Sequence, residues 1–104
     1  MIRLNKMDLL GLLQEHGAVV NGHFRLPSGL HTPVYLQTPL VLQYPHVAQK
    51  VAKAIAAKFA SAVDVVISTG MSSVVLGQEV ARAKKCRAIF TERINGAMAF
   101  RRDF

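Results

Sequence analysis

The sequence predicts an α/β chain in which a small α+β segment precedes the start of a parallel sheet. Three observations carry that reading. Asp64–Ser68 and Arg87–Thr91 are short, nearly continuous apolar runs, the pattern of parallel strands covered on both faces. Between them lie a small-residue loop, Thr69–Ser73, and helical spacing over residues 73–84. Strand, loop, helix and strand within about 28 residues form a βαβ unit. The sheet is expected to be incomplete, because two such strands need neighbours and covering helices that the chain supplies too sparingly.

A length of 104 residues leaves room for one domain, and with 51% hydrophobic residues the chain can bury a core. Thirteen basic residues against six acidic ones give a net charge of +7, which favours anionic partners such as phosphates, nucleic acid or carboxylate substrates, or serves as a solvated basic surface. Cys86 is the single cysteine, so no internal disulfide forms, and a reduced thiol in the cytoplasm is the expectation. The cluster Leu9–Leu13 is interrupted by Gly11 and followed by Gln14, Glu15 and His16, too short and too amphipathic for a signal peptide. No apolar run approaches the roughly 20 residues of a membrane span.

Residues 5–16 are expected to form an amphipathic helix capped by Asn5, with Asp8 in a box-like position and Gly17 as terminator. Leu9, Leu10, Leu12 and Leu13 supply its core side. Ala18–Val20, Asn21-Gly22 and His23–Leu26 read as a tight hairpin turning at Asn21-Gly22. Pro27-Ser28-Gly29 breaks the strand, an extended segment resumes over Pro33–Gln37, and Pro39 argues against pairing just after it. Pro45 suits the first turn of a helix over 45–60, in which Val47, Val51, Ile55 and Phe59 form one buried stripe and Lys50, Lys53 and Lys58 a solvated face. Val74, Val75, Val80, Ala81 and Ala83 mark the helix of the βαβ unit. Asn95-Gly96 then signals a turn, with Ala97–Arg102 as a returning strand.

In open parallel sheets, ligands bind beyond the carboxyl ends of the strands, which here means Thr69, Gly70, Met71, Ser72 and Ser73. The helix that follows presents unpaired amides and partial positive charge, and small side chains let a phosphate approach. The loop is neither a Walker motif nor GxGxxG. An ordinary capped turn, with Ser72 or Ser73 as cap, is the competing reading. Arg93, Arg101 and Arg102 flank the Asn95-Gly96 turn and could meet phosphate oxygens or simply solvate a hairpin tip. The histidines at 16, 23, 31 and 46 lack metal spacing.

Taken together, three segments resemble one family. Gly22-His23-Phe24-Arg25-Leu26-Pro27-Ser28-Gly29-Leu30-His31-Thr32-Pro33-Val34-Tyr35 resembles the N-terminal signature of orotate phosphoribosyltransferases, Phe-x-Leu-x-Ser-Gly followed by Ser/Thr-Pro-x-aromatic. Leu76–Ala83 resembles the helix after their pyrophosphate loop. Ala88–Arg93, with Asn95-Gly96 and Arg101-Arg102, resembles the strand and hairpin of the shorter bacterial-type members. The resemblance implies a type I phosphoribosyltransferase-like parallel sheet, incomplete here, with residues 1–42 as an N-terminal α+β hood and 43–104 as the first part of the core. It implies transfer of ribose 5-phosphate from PRPP to orotate, giving orotidine monophosphate and pyrophosphate, with Mg2+ accompanying PRPP. Ser28, Gly29 and Tyr35 fall on the orotate side, Thr69 to Ser73 on the pyrophosphate loop, and Arg93 on a phosphate contact that can serve a partner subunit.

The implied partners are therefore orotate, PRPP and either a second copy in a homodimer or a C-terminal half. Met71-Ser72-Ser73 stands in place of a glycine-rich pattern and Ala97 in place of a lysine, which weakens the expected phosphate contacts. The family's donor loop needs two adjacent acidic residues. Asp8, Glu15, Asp64, Glu79, Glu92 and Asp103 include no adjacent pair, so the chain by itself is expected to be inactive. The alternative is a non-catalytic phosphoribosyltransferase-like interaction or regulatory module. Nucleic-acid binding is disfavoured, because the basic residues are dispersed and not interleaved with aromatics.

Overall fold

The computed structural model describes residues 6–104, which divide by their contacts into two compact units meeting in sequence at Tyr44/Pro45. Asn5, expected as a helix cap, lies outside the described residues.

In the first unit, helix α1 spans Lys6–Glu15 with Asp8 in its first turn. Gly17 ends it as expected. At φ 67° it enters the left-handed region, its amide donates to Gln14 O at 3.0 Å, and the Ala18 amide donates to Leu13 O at 2.8 Å. That pair of bonds is a Schellman closure, in which glycine avoids the Cβ penalty of a left-handed residue. Contrary to the expectation of a leucine core, Leu9 and Leu10 are exposed, while Ala18 and Val41 are buried.

Strand β1, Val19–Arg25, pairs antiparallel with β2, His31–Leu36. The hairpin is real but turns elsewhere than expected. β1 runs straight through Asn21-Gly22, and the pairing slips by one residue between Asn21↔Val34 and Phe24↔Thr32, a β-bulge. A Cβ on Gly22 would lie 3.2 Å from the Phe24 ring, so glycine leaves room for that ring to fold back over the bulge. The chain reverses at Pro27-Ser28-Gly29. The Gly29 amide donates to Leu26 O and the Leu26 amide to Leu30 O, both at 2.8 Å, and Gly29 takes φ 89°. Proline presets the turn and glycine supplies the positive φ, so this turn outcompetes the Asn-Gly signal. After β2, the Pro39 that disfavours pairing opens the short helix α2, Pro39–Leu42.

The second unit begins with helix α3, Pro45–Ala56. It buries Val47, Ala48, Val51, Ala52 and Ala56, and leaves Lys50, Lys53 and Lys58 exposed. The apolar stripe is shorter than expected. The helix stops at Ala56, and Phe59 lies beyond it at 58% exposure. Strand β3, Val65–Thr69, leads through Gly70 and a 3-10 turn, Met71–Ser73, into helix α4, Val74–Lys84. Strand β4, Arg87–Ile94, lies parallel to β3 with Val65↔Arg87 through Thr69↔Thr91 in register. A turn at Asn95 (φ 49°) and Gly96 (φ 81°) returns the chain as β5, Ala97–Ala99, antiparallel to β4. Two consecutive positive φ angles are what a two-residue hairpin turn needs. β5 is shorter than the expected 97–102.

The sheet order is β3-β4-β5, which makes β3 an edge strand. The expectation of two strands covered on both faces is corrected here. Ile67, in the middle of β3, is 50% exposed because no element of the described residues covers its side.

Candidate functional site

Helix α4 lies so close to β3 that a Cβ on Gly77 would stand 1.9 Å from Ser68 Oγ and 3.9 Å from Val66 Cγ1. Ser68 is 7% exposed. Gly77 therefore acts as the contact point where backbone meets strand, and it sets the position of the α4 N-terminus relative to the end of β3. On the other side, Thr91 Oγ1 donates to Ser68 O at 3.4 Å, and the Gly70 amide donates to Thr91 O at 3.1 Å. The loop between β3 and α4 is thus tied to β4 at its first residue.

Gly70 takes φ 85°, and the terminal methyl of Met98 on β5 would lie 3.6 Å from a Cβ built there. Met98 of the returning strand thus reaches the first residue of the loop, at the carboxyl end of β3 where open α/β sheets hold ligands. Ser73 holds the N-cap position of α4 but does not cap through its side chain. Its hydroxyl donates instead to Thr69 O at 3.1 Å and Gly70 O at 3.2 Å, which stiffens the loop and leaves the helix-end amides without a side-chain acceptor. The reading of Ser72 or Ser73 as an ordinary capping side chain is corrected by this geometry. Met71 projects from the loop at 81% exposure.

The three arginines are differently employed. Arg93, exposed on β4, folds over the hairpin and donates from Nη1 to Gly96 O at 3.1 Å. Arg102 makes a two-pronged pair with Glu92, Nε to Oε2 at 3.0 Å and Nη2 to Oε1 at 3.1 Å. Arg101 lines a small surface depression with these two residues. The hydrogen bond from Arg102 is the main cause holding the Glu92 carboxyl below the usual carboxylate range; partial desolvation opposes it, and the charges of Arg102 and Arg101 reinforce it. A lowered folded value means that the pair contributes above the ordinary value near 4.5 and is lost as pH falls through the lower folded one. Glu92, followed by carboxyl NMR, should titrate with a midpoint below 4.5, and Glu92→Gln should abolish any acid-induced shift of the Arg102 Nε–H signal. A midpoint at or above the ordinary value would contradict the pair.

In the first unit, Ser28 and Gly29 form the tip of the β1–β2 hairpin, where Ser28 Oγ accepts from the Leu30 amide at 3.4 Å. Tyr35 sits four residues along β2 from His31, about 13 Å at the usual rise. Its half-exposed ring meets Phe24 at 5.6 Å between centroids. The hairpin therefore places Ser28 and Gly29 together and Tyr35 towards its other end. One feature the sequence did not signal is the cross-strand contact of His23 Nε2 with His31 Nδ1 at 2.6 Å. It rests on the β1–β2 register that pairs Arg25 with His31, which a turn at Asn21-Gly22 would not produce. Among the described residues, no three His, Cys, Asp or Glu side chains converge so as to hold a metal ion. No helix among them is long and apolar enough to cross a membrane.

No family model matches the chain. Whole-chain similarity is nevertheless clear. The chain is 40% identical over 102 residues to an orotate phosphoribosyltransferase of Pelotomaculum thermopropionicum, covering 97% of this chain and 54% of that protein. It is 44% identical over 101 residues to one of Nitratiruptor sp., covering 94% of this chain and 50% of the relative. A protein of the same name in Campylobacter concisus shows 44% identity over 101 residues, with the same coverage. The chain spans about half the length of the curated relatives it matches. Among solved structures, Leishmania donovani UMP synthase superposes with a TM-score of 0.74 at 19% identity, over 94% of this chain and 22% of that one. That likeness establishes the mixed α/β fold.

Proposed function

We propose that this chain supplies the orotate-side hairpin and the pyrophosphate loop of an orotate phosphoribosyltransferase, the enzyme that moves ribose 5-phosphate from PRPP to orotate in UMP biosynthesis. The observation that carries the reading is identity of 40–44% across nearly the whole chain to proteins named for that activity. In this reading residues 1–42 serve as the hood and 43–104 as the first part of the catalytic core. Ser28, Gly29 and Tyr35 face orotate.

The leaving pyrophosphate sits on Thr69–Ser73. Backbone amides at the start of α4 and its positive dipole end stabilise charge as the bond to ribose lengthens. Gly70 lets the anion approach the backbone, and the internally bonded Ser73 hydroxyl keeps the loop in shape before substrate arrives. Arg93 adds a guanidinium, in a homodimer to the partner's site. The single free cysteine, Cys86, suits the reducing cytoplasm.

Pyrophosphate titration followed by amide NMR tests the loop. The expected shifts fall on Gly70 to Val74. Because Ser72 and Ser73 carry side chains where glycine would allow closer approach, the expected Kd is about millimolar, or roughly 4 kcal/mol. Movement confined to the lysines of α3, or to Arg101 and Arg102, would mark diffuse binding to a basic surface and remove the loop from the proposal.

A further inference from the structure

We infer that His23 and His31 form a surface site for a divalent transition-metal ion of the kind that imidazole selects, such as Zn2+, and that the bound ion braces the β1–β2 hairpin just below its Ser28-Gly29 tip.

Register makes the site. His31 pairs with Arg25 across the strands, and His23 stands two residues before Arg25 on β1. The two histidines are therefore diagonal neighbours on one face of the ladder, within reach of ring side chains. Exposure follows the same alternation: His23, Arg25 and His31 are exposed, while Phe24 and Thr32 are half-buried. Along the chain the pair is eight residues apart, a separation that matches no metal motif.

The facing atoms suit a chelate. His23 Nε2 and His31 Nδ1 approach to 2.6 Å, with the rings tilted by 51° rather than stacked. In the neutral pair one of these nitrogens carries a hydrogen and the other offers its lone pair. Moving that hydrogen through water to the far nitrogen of its own ring turns both lone pairs to one point and releases no proton. An ion at about 2.0–2.1 Å from each nitrogen holds them roughly 3 Å apart in a cis arrangement, so the rings need to open by only about half an ångström.

The donor set selects the ion. Imidazole suits Zn2+, Cu2+ and Ni2+, whereas Mg2+ takes oxygen ligands and keeps its water. Two imidazoles leave the remaining positions to water, so the ion exchanges with solvent. The Arg25 charge opposes a cation here, but it is exposed and screened by salt. Joining His23 to His31 closes a ring over residues 24–30, which contain the Pro27-Ser28-Gly29 turn. Like any cross-link, it removes open conformations of that segment.

Zn2+ titrated into the 104-residue chain in excess Mg2+, without substrates, tests the site through the ring nitrogen signals of the histidines. His23 Nε2 and His31 Nδ1 are expected to shift together and saturate at one ion per chain, with the rings of His16 and His46 unmoved. The amides of Leu26 and Gly29, which donate across the turn, should exchange at least about tenfold more slowly with the ion bound. His23→Gln and His31→Gln should each weaken binding at least about tenfold. Both side chains are exposed, so the melting temperature without metal should not change. Shifts confined to His46 or to the surroundings of Cys86 would overturn the inference. So would equal affinity in the two variants and the parent, or the same shifts from Mg2+ alone. Saturation at one ion per two chains would overturn it by assigning the histidines to a contact between copies, and binding that leaves Leu26 and Gly29 exchange unchanged would overturn the bracing.

Discussion

The 104-residue chain, mixed with orotate, PRPP and magnesium, is expected to show no turnover above the uncatalysed background. Its acidic residues, Asp8, Glu15, Asp64, Glu79, Glu92 and Asp103, include no adjacent pair of the kind that the resemblance assigns to the donor loop. Glu92 is in addition engaged by Arg102, and Glu79 by Arg82 at 3.2 Å. The reaction asks little of acids and bases. It depends on holding donor and acceptor in line, and such positioning is worth roughly 7–11 kcal/mol in favourable cases. A loop that only binds the leaving group leaves most of that unrealised, since electrostatic stabilisation needs a donor fixed against it. Loss of even half of the positioning term lowers the rate by about three orders of magnitude. Following orotate absorbance over hours is the measurement, with the chain joined to the unmatched half of a bacterial relative as the positive counterpart. Ordinary enzymatic rates from the 104 residues alone would show that they already hold the donor.

Replacing Gly77 with alanine should destabilise the second unit, although alanine is the better helix former by about 1 kcal/mol. The added methyl would stand 1.9 Å from Ser68 Oγ and 3.3 Å from Ser68 Cβ, more than 1 Å inside ordinary contact. Overpacking of that kind costs about 1–3 kcal/mol, and here the strand is pinned from its other side by Thr91. The expected net loss is about 1 kcal/mol, or roughly 4–8 °C in melting temperature for a protein of this size. Ser68→Ala removes the atom that clashes, so the double variant should recover most of the loss. Thermal melts of the two single variants and the double one give the coupling directly. Additive losses would mean that α4 does not rest on β3 at this point. Because Gly77 also sets where α4 begins relative to Thr69, pyrophosphate-induced shifts at the loop should weaken in Gly77→Ala and return in the double variant.

Local punctuation was the most legible part of the sequence. Gly17 ends α1, Pro45 opens α3, and the runs read at 64–68 and 87–91 are parallel strands, observed at 65–69 and 87–94 and joined by a helix. Each of these follows from φ restrictions or from apolar spacing within a few residues. The position of the candidate phosphate loop followed from the same pattern, since a βαβ unit fixes which end of the strands binds. What the Ser73 hydroxyl does was not legible. A serine before a helix reads as a cap, and only the path of the loop decides that its nearest acceptors are Thr69 O and Gly70 O.

The two Asn-Gly pairs show where sequence stops and tertiary structure begins. Asn95-Gly96 is a turn with both residues at positive φ, and Asn21-Gly22 lies inside a strand at a bulge. The dipeptide states only what the backbone can do there. Whether it turns depends on which alternative pairs more backbone groups. In the first hairpin Pro27-Ser28-Gly29 offers a competing reversal that pairs β1 with β2 on both sides of the bulge. After Ile94 no such competitor exists before the chain meets β4 again. By itself the sequence determined the kinds of element, their order and the family they resemble, because those rest on local stereochemistry and on the apolar pattern. The register of β1 on β2, the close seat of α4 on β3 at Gly77 and the open edge of β3 were decided only in three dimensions, because each is a contest between segments far apart in the chain.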